Sequence, residues 1–140
     1  MILKINLKQI GERKQKIAPV DFTYEPVPET LRELIIQTVT GCVASYNARV
    51  RAGEDRTAPL SKERITALAD LGKIAFGISY GGKEQAPKKA VENALQSFED
   101  GLYRVFLNDT ELDKLDGKID LNENDSLTFI RLTMLAGRMW

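Results

Sequence analysis

The sequence predicts an α+β domain in which a mixed sheet of about four or five strands packs on one long helix. Three observations predict this class: alternating apolar and polar residues near the start, apolar residues at helical spacing in the middle, and strand-like segments between turn dipeptides at the end. A period of two is typical of a half-buried strand, and a longer period near 3.6 is typical of an amphipathic helix. The chain has 140 residues, and we expect a single domain over residues 1–140.

The first predicted element is a β-hairpin. Apolar residues occupy every second position from Leu3 to Leu7, which predicts a strand over Ile2–Ile10 with one buried face. The polar stretch at 11–14 predicts a turn, and a second alternation from Val20 to Tyr24 predicts the partner strand. Pro19 cannot donate a ladder hydrogen bond, so this second strand is expected to start irregularly or to lie at an edge.

A long amphipathic helix is predicted from Thr30 to Arg51. Thr30 and Glu33 fit a capping box, and Gly53 is a suitable stop. The apolar positions form one helical stripe: Leu31, Leu34, Ile35, Val39, Cys42, Val43, Tyr46 and Val50. Because a buried thiol behaves as a small apolar group with a raised pKa, Cys42 is predicted to be a core residue, with a nucleophile as the alternative.

Two further helices are predicted in the segment that follows, at about 54–101. Ser61 is a suitable cap for the first, and Pro87 suits the first turn of the second. Their apolar positions include Ile65, Leu68, Gly72, Phe76, Ala90, Val91, Ala94, Leu95 and Phe98. Soluble monomers rarely expose so large an apolar surface, so we expect this segment to pack on the rest of the domain or to form a homodimer interface.

The last part of the chain predicts three more strands. These are Tyr103–Leu107, a short strand through Leu112 and Leu115, and a long strand from Ser126 to about Met134. The turn signals between them are Asn108-Asp109, Asp116-Gly117 and the acidic stretch from Asn122 to Asp125, because asparagine, aspartate and glycine tolerate left-handed backbone angles.

This order of parts resembles the C-terminal half of a ubiquitin-like β-grasp domain, a superfamily that includes the sulfur carriers of molybdopterin and thiamine biosynthesis. The matching residues are Phe106, Leu107, Asn108, Asp109, Leu112, Leu115, the stretch from Leu121 to Asp125, Leu127, Phe129, Arg131, Leu135, Ala136 and Gly137. The resemblance implies a ubiquitin-like strand order behind the hairpin and the long helix. A compact ubiquitin-like domain has no pair of helices like those predicted at about 54–101, so this chain departs from the pattern there.

The C-terminal tail is the predicted protein-binding or conjugation site, and it consists of Leu135, Ala136, Gly137, Arg138, Met139 and Trp140. In the resembling family, modifiers and sulfur carriers end in Gly-Gly, whose carboxylate a partner enzyme adenylates. This chain has Ala136-Gly137 followed by three more residues, so the resemblance implies a precursor activated at Gly137 after their removal. The other interpretation is that Trp140 is an anchor that packs into a groove on this protein or on a partner.

Two further motifs resemble ligand-binding sequences but are explained without a bound ligand. The stretch GISYGGKE, from Gly77 to Glu84, fits the start of a phosphate-binding loop but has Glu84 where Ser or Thr should hold magnesium, so no nucleotide binding is expected. Seven acidic residues between Asp109 and Asp125 lack EF-hand spacing and are predicted to lie in solvated turns, with a calcium site as the alternative.

The basic residues of the N-terminal half contrast with this acidic end: Lys4, Lys8, Arg13, Lys14 and Lys16. They either orient a protein partner or are simply solvated.

The composition argues against several functional classes. The chain has no histidine and one cysteine, which disfavours histidine-based catalysis, a zinc site and an internal disulfide. Its 20 basic and 20 acidic residues balance, so no overall field attracts nucleic acid or a membrane surface. No apolar run is long enough to span a bilayer, and the N-terminus does not resemble a signal peptide, so a cytoplasmic protein is expected.

We therefore expect a non-enzymatic protein-interaction module or adaptor that acts through its sheet face and its C-terminal tail. It would have a protein partner, no cofactor, no metal, no catalytic residue, no nucleic acid and no membrane association. The alternative is a ubiquitin-like modifier or sulfur-carrier precursor. A third class, an enzyme that uses carboxylates or a bound ligand, ranks last because histidine is absent.

Overall fold

The structure is a computed structural model that describes residues 1–10, 19–52, 72, 76 and 86–132. The described elements, in chain order, are β1 (Ile2–Ile10), β2 (Val20–Thr23), α1 (Leu31–Ala52), α2 (Pro87–Glu99), β3 (Tyr103–Leu107), β4 (Thr110–Leu112) and β5 (Ser126–Leu132). The predicted α+β class is confirmed.

The five described strands form one mixed sheet in the order β2-β1-β5-β3-β4. The central pair, β1 and β5, is parallel, with Ile5 opposite Leu127 and Leu7 opposite Phe129. The hairpin of β1 and β2 and the two ladders of β3, with β4 and with β5, are antiparallel. The first and last strands of the described chain therefore meet at the centre of the sheet.

One face of the sheet, the inner face, packs against the helices. Side chains alternate between the two faces of a strand, and the buried set belongs to the inner face: Leu3, Ile5, Leu7, Val20, Phe22, Tyr103, Val105, Leu127 and Phe129. The predicted α1 stripe is buried from Leu31 to Tyr46, and its members from Leu31 to Val43 belong to this core. The side chain of Val50, the last residue of the predicted stripe, lies outside the described part of the structure. Full burial of one such aliphatic side chain contributes about 1.5–3 kcal/mol, so the stripe accounts for much of the attachment of α1 to the sheet.

The start of α1 is capped from two sides. The Thr30 hydroxyl accepts a hydrogen bond from the Glu33 backbone N–H at 3.2 Å and donates one to the Glu33 carboxylate at 3.2 Å, as the predicted capping box requires at its Thr end. The Arg32 backbone N–H donates to the Leu115 carbonyl at 2.8 Å, and that of Leu31 donates to the Gly117 carbonyl at 3.4 Å. The loop after β4 therefore accepts donors that the first turn of a helix leaves without partners.

This capping loop corrects one prediction about the short fourth strand. The strand was expected to run through Leu112 and Leu115, but β4 ends at Leu112. Leu115 lies in the loop with its side chain only 8% exposed. An apolar residue after a turn signal resembles a strand position in sequence, whereas here its side chain fills the core and its carbonyl caps α1.

The described part of the predicted helical insertion packs onto this body. Pro87 occupies the first turn of α2, and the helix ends before Gly101, whose φ of +76° suits glycine. α2 packs beside α1 and contributes Ala90 and Ala94 to the core. The expectation of a sheet packed on one long helix is not confirmed, because two described helices cover the sheet.

Most of the first predicted inserted helix lies outside the described residues. The structure describes its residues Gly72 and Phe76, both helical, and Phe76 is 2% exposed. Its ring meets those of Tyr103 and Phe129 edge-on, with centroids 5.2 and 5.3 Å away. Edge-to-face pairs at such distances are favourable, so Phe76 ties the insertion to the inner face of β3 and β5.

Candidate protein-interaction surface

The second face of the sheet, here called the outer face, carries the side chains that alternate with the buried ones. Its residues are Ile2, Lys4, Asn6 and Lys8 of β1, Asp21 and Thr23 of β2, Arg104 and Phe106 of β3, Glu111 of β4, and Ser126, Thr128 and Ile130 of β5. Each of them is exposed or half-buried. The described helical residues of the core cluster join the buried side chains of the other face.

The strand register arranges the outer face in rows across the sheet. Lys8, Ile130 and Arg104 are neighbours on β1, β5 and β3. Since adjacent strands lie about 4.8 Å apart, the two basic residues flank Ile130 with their backbones about 10 Å from each other. Asn6, Thr128 and Phe106 form the next row.

The charges on the outer face are loosely paired. The Lys4 ammonium lies 3.4 Å from the Asp21 carboxylate, and one Arg104 guanidinium nitrogen lies 3.8 Å from the Glu111 carboxylate. Both pairs are largely exposed, and exposed pairs typically contribute about 0–1 kcal/mol. Lys8 makes no ion pair with any residue that the structure describes. A ligand could therefore pair with these cations with little loss of stabilising free energy from the existing ion pairs.

Apolar side chains stand among these charges. Ile2 is 60% exposed at one corner, and Phe106 and Ile130 are half-buried near the centre. Large apolar groups in a polar surround are a common composition of protein-binding surfaces. The alternation of Lys4, Asn6 and Lys8 was visible in the sequence, but the residues from β3 and β5 that complete the surface were not, because their neighbours depend on strand order.

The acidic turns at one end of the sheet form an internal network. The Asn108 side chain donates to the Asp125 carboxylate at 2.9 Å, the Asn122 backbone N–H donates to the same carboxylate at 2.9 Å, and the Ser126 backbone N–H donates to the Asn108 side-chain oxygen at 3.1 Å. The two bonds to the Asp125 carboxylate, first the one from Asn108 and then the one from Asn122, hold the pKa of Asp125 below its usual range. The predicted turns at Asn108-Asp109 and at Asn122 to Asp125 are confirmed, and Asn108 has a left-handed φ of 54°.

The same residues do not gather into a metal centre. Within the described ranges, no group of three or more His, Cys, Asp or Glu side chains is placed to hold a metal ion. Asp125 uses both of its oxygens to fix the loop before β5. The geometry therefore explains this part of the acidic stretch as loop structure.

A shallow cleft of about 630 Å³ lies where the end of α2 meets the capping loop. Its polar rim includes Arg32, whose guanidinium binds the Asp116 carboxylate through two bonds of 2.9 and 3.4 Å. These bonds, together with the positive charge of Arg32, lower the pKa of Asp116. Both partners are exposed, and the lining mixes the two signs of charge, so the cleft has no evident preference for a ligand.

Cys42 is a core residue, as predicted. It is fully buried, and burial raises the pKa of its thiol, an effect that a backbone hydrogen bond with Gly72 partly offsets. A thiol with a raised pKa is a weak nucleophile at neutral pH. The buried Tyr24 hydroxyl nearby forms a hydrogen bond of 2.7 Å with the hydroxyl of Thr38. The two buried hydroxyl groups therefore satisfy each other.

Two predicted sites lie outside the described residues. These are the C-terminal tail of Leu135, Ala136, Gly137, Arg138, Met139 and Trp140, and the glycine-rich stretch from Gly77 to Glu84. β5 ends at Leu132, three residues before the tail. The structural argument about function therefore depends on the outer face.

The chain matches no protein-family model, no curated protein and no solved structure. In the part of the chain that the structure describes, neither helix is long and apolar enough to cross a membrane.

Proposed function

We propose that this protein is a non-enzymatic protein-interaction module with a ubiquitin-like β-grasp fold, and that it binds a protein partner through its outer face. The strand order β2-β1-β5-β3-β4, with a parallel central pair, is the order expected of a ubiquitin-like sheet and supports the fold. The position of α1 between the opening hairpin and β3 also supports it. α2 and Phe76 belong to a helical addition that extends the core.

The observation that carries the functional proposal is the composition of the outer face. Ile2, Phe106 and Ile130 present apolar surface among charged and polar side chains, although the inner face already supplies the core. Of the three, Ile130 lies between two cations, Lys8 and Arg104. A rigid, hydrogen-bonded sheet holds these side chains in fixed positions, which lowers the entropy cost of binding. Flanking charges accelerate encounter and select orientation.

An interaction role also fits the chemistry of the chain. It has no histidine, and its single thiol is buried with a raised pKa, so two common catalytic groups are missing from the described surface. The C-terminal tail, Leu135 to Trp140, is part of the proposed binding site on the ground of its sequence. A modifier or sulfur carrier would instead use that tail after cleavage at Gly137, and the C-terminal mass of the native protein distinguishes the two roles.

Site-specific photocrosslinking in native cells tests the proposal. A benzoylphenylalanine at Thr128 places the crosslinker at the centre of the outer face, and the matched control places it at Glu92, an exposed position on α2. We expect discrete crosslinked proteins from Thr128 and none of them from Glu92. The same products from both positions, or products from Glu92 alone, would show that the outer face is not the binding surface.

A further inference from the structure

The row formed by Lys8, Ile130 and Arg104 is complementary to a ligand that combines an apolar group with anions. Ile130 is apolar and half-buried, and a cation stands on each side of it. Lys8 has no ion-pair partner among the described residues, and the nearest carboxylate to Arg104 is at 3.8 Å, beyond hydrogen-bond distance. A ligand that covers Ile130 must therefore desolvate part of Lys8, which has no carboxylate beside it within the described part of the chain, and part of Arg104, whose ion pair with Glu111 is long and exposed. This desolvation is costly unless the ligand supplies anions.

We propose that the partner binds the outer face through a segment in which an apolar side chain is flanked by carboxylates. The apolar group packs on Ile130 and Phe106, and the carboxylates pair with Lys8 and Arg104. This inference rests on the proposed function and specifies the chemistry of the partner. Charge pairs at the rim of such a contact act mainly on association rate and orientation, whereas the apolar centre supplies affinity.

A protein segment fits this surface better than a nucleic acid. The described residues of the outer face carry three cations, Lys4, Lys8 and Arg104, and two carboxylates, Asp21 and Glu111, so their net positive charge is small, whereas a nucleic-acid backbone is held by several cations that each neutralise a phosphate. Lys8, Ile130 and Arg104 alternate across a single row, whereas nucleic-acid surfaces carry continuous basic stripes.

A random dodecapeptide library displayed on phage is the probe. Peptides recovered on the wild-type protein are synthesised, and their affinities are measured by fluorescence polarisation against two double variants. Lys8→Glu with Arg104→Glu reverses the row, while Lys88→Glu with Lys89→Glu makes the same change of net charge at exposed positions on α2. Circular dichroism establishes that both variants are folded.

We expect recovered peptides that combine Asp or Glu with a large apolar residue. Their affinity should fall at least about 10-fold for the row variant, stay within about 2-fold for the α2 variant, and decrease as salt is raised from about 50 to 500 mM. Recovery of no peptide, of basic peptides, or of peptides that bind both variants equally would overturn the inference. Saturable binding of a labelled 20-nucleotide single-stranded DNA that displaces the peptides would overturn it in favour of a nucleic-acid surface.

The two proposals fail in different ways. If Thr128 crosslinks a cellular protein but the peptides do not depend on the row, the outer face remains a binding surface and the acidic partner is wrong. If Thr128 gives no specific crosslink while acidic peptides bind the row, the acidic preference holds and its use in cells is wrong.

Discussion

Replacing Gly41 with alanine tests how closely α1 is seated on β2. A methyl group built on Gly41 would overlap the ring of Phe22, which is 8% exposed and has the Tyr24 ring at a centroid distance of 4.6 Å. Glycine inside a helix ordinarily costs about 1 kcal/mol relative to alanine, so the substitution would stabilise an open site. Here the ring must move against its neighbours, and overpacking of this kind typically costs about 1–3 kcal/mol.

We expect the overpacking to prevail, with a net loss of about 1 kcal/mol and a decrease in Tm of about 3–5 °C for a domain of this size. Thermal and urea unfolding followed by circular dichroism measure the loss. Thr40→Ala is the matched control, because Thr40 is exposed on the same helix turn and its substitution should raise stability by no more than about 0.7 kcal/mol.

A double-mutant cycle with Phe22→Leu isolates the contact. Once the ring is gone, Gly41→Ala should become neutral or stabilising, which gives a coupling energy of about 1–2 kcal/mol. A higher Tm for Gly41→Ala in the wild-type background, or equal effects in both backgrounds, would refute the close seating of α1 on β2.

Three further predictions follow from other parts of the structure. Leu34→Asp should abolish cooperative unfolding because it puts an unpaired charge into the core. Ala44→Asp, at an exposed position of α1, should still unfold cooperatively and lose only about 0.7 kcal/mol of helix propensity. A parental melt for Leu34→Asp would show that this side chain is not core. The pKa of Asp125 is lowered, so its stabilising effect is fully present above the ordinary carboxyl pKa near 3.8 and is lost as the pH falls through the lowered value. Asp125→Asn should therefore be less stable than the parent at pH 7, and this difference in stability should vanish in acid. A difference of the same size at pH 7 and in acid would contradict the network with Asn108. Intact mass of the native protein should show a C-terminus that retains Trp140, and a chain that ends at Gly137 would favour the modifier role.

The regular elements were accessible from the sequence because their signals are local. The alternation in β1 and the helical stripe of α1 need only neighbouring residues, and both are found with bounds within one residue of the predictions. The Thr30 and Glu33 cap was predictable for the same reason, since its partners are three residues apart.

Contacts between distant parts of the chain were not accessible in this way. Nothing near Arg32 indicates that its side chain binds Asp116 or that its backbone N–H meets the Leu115 carbonyl, because these partners are about 84 residues away. The outer face is a similar case. Its existence follows from the alternation in β1, but the row of Lys8, Ile130 and Arg104 depends on β5 lying between β1 and β3.

The central place of β5 has a consequence for how the chain is made. During synthesis β1 emerges early. The edge of β1 that pairs with β5 has no partner strand until residues 126–132 have been translated. A nascent chain that stalls earlier therefore carries an unpaired apolar strand edge, which is a template for aggregation. The capping loop of α1 also arrives late, so neither half of the described fold is complete without the other. Folding is thus coupled to completion of β5, and non-local pairing of this kind makes it slow compared with a helical bundle of similar size.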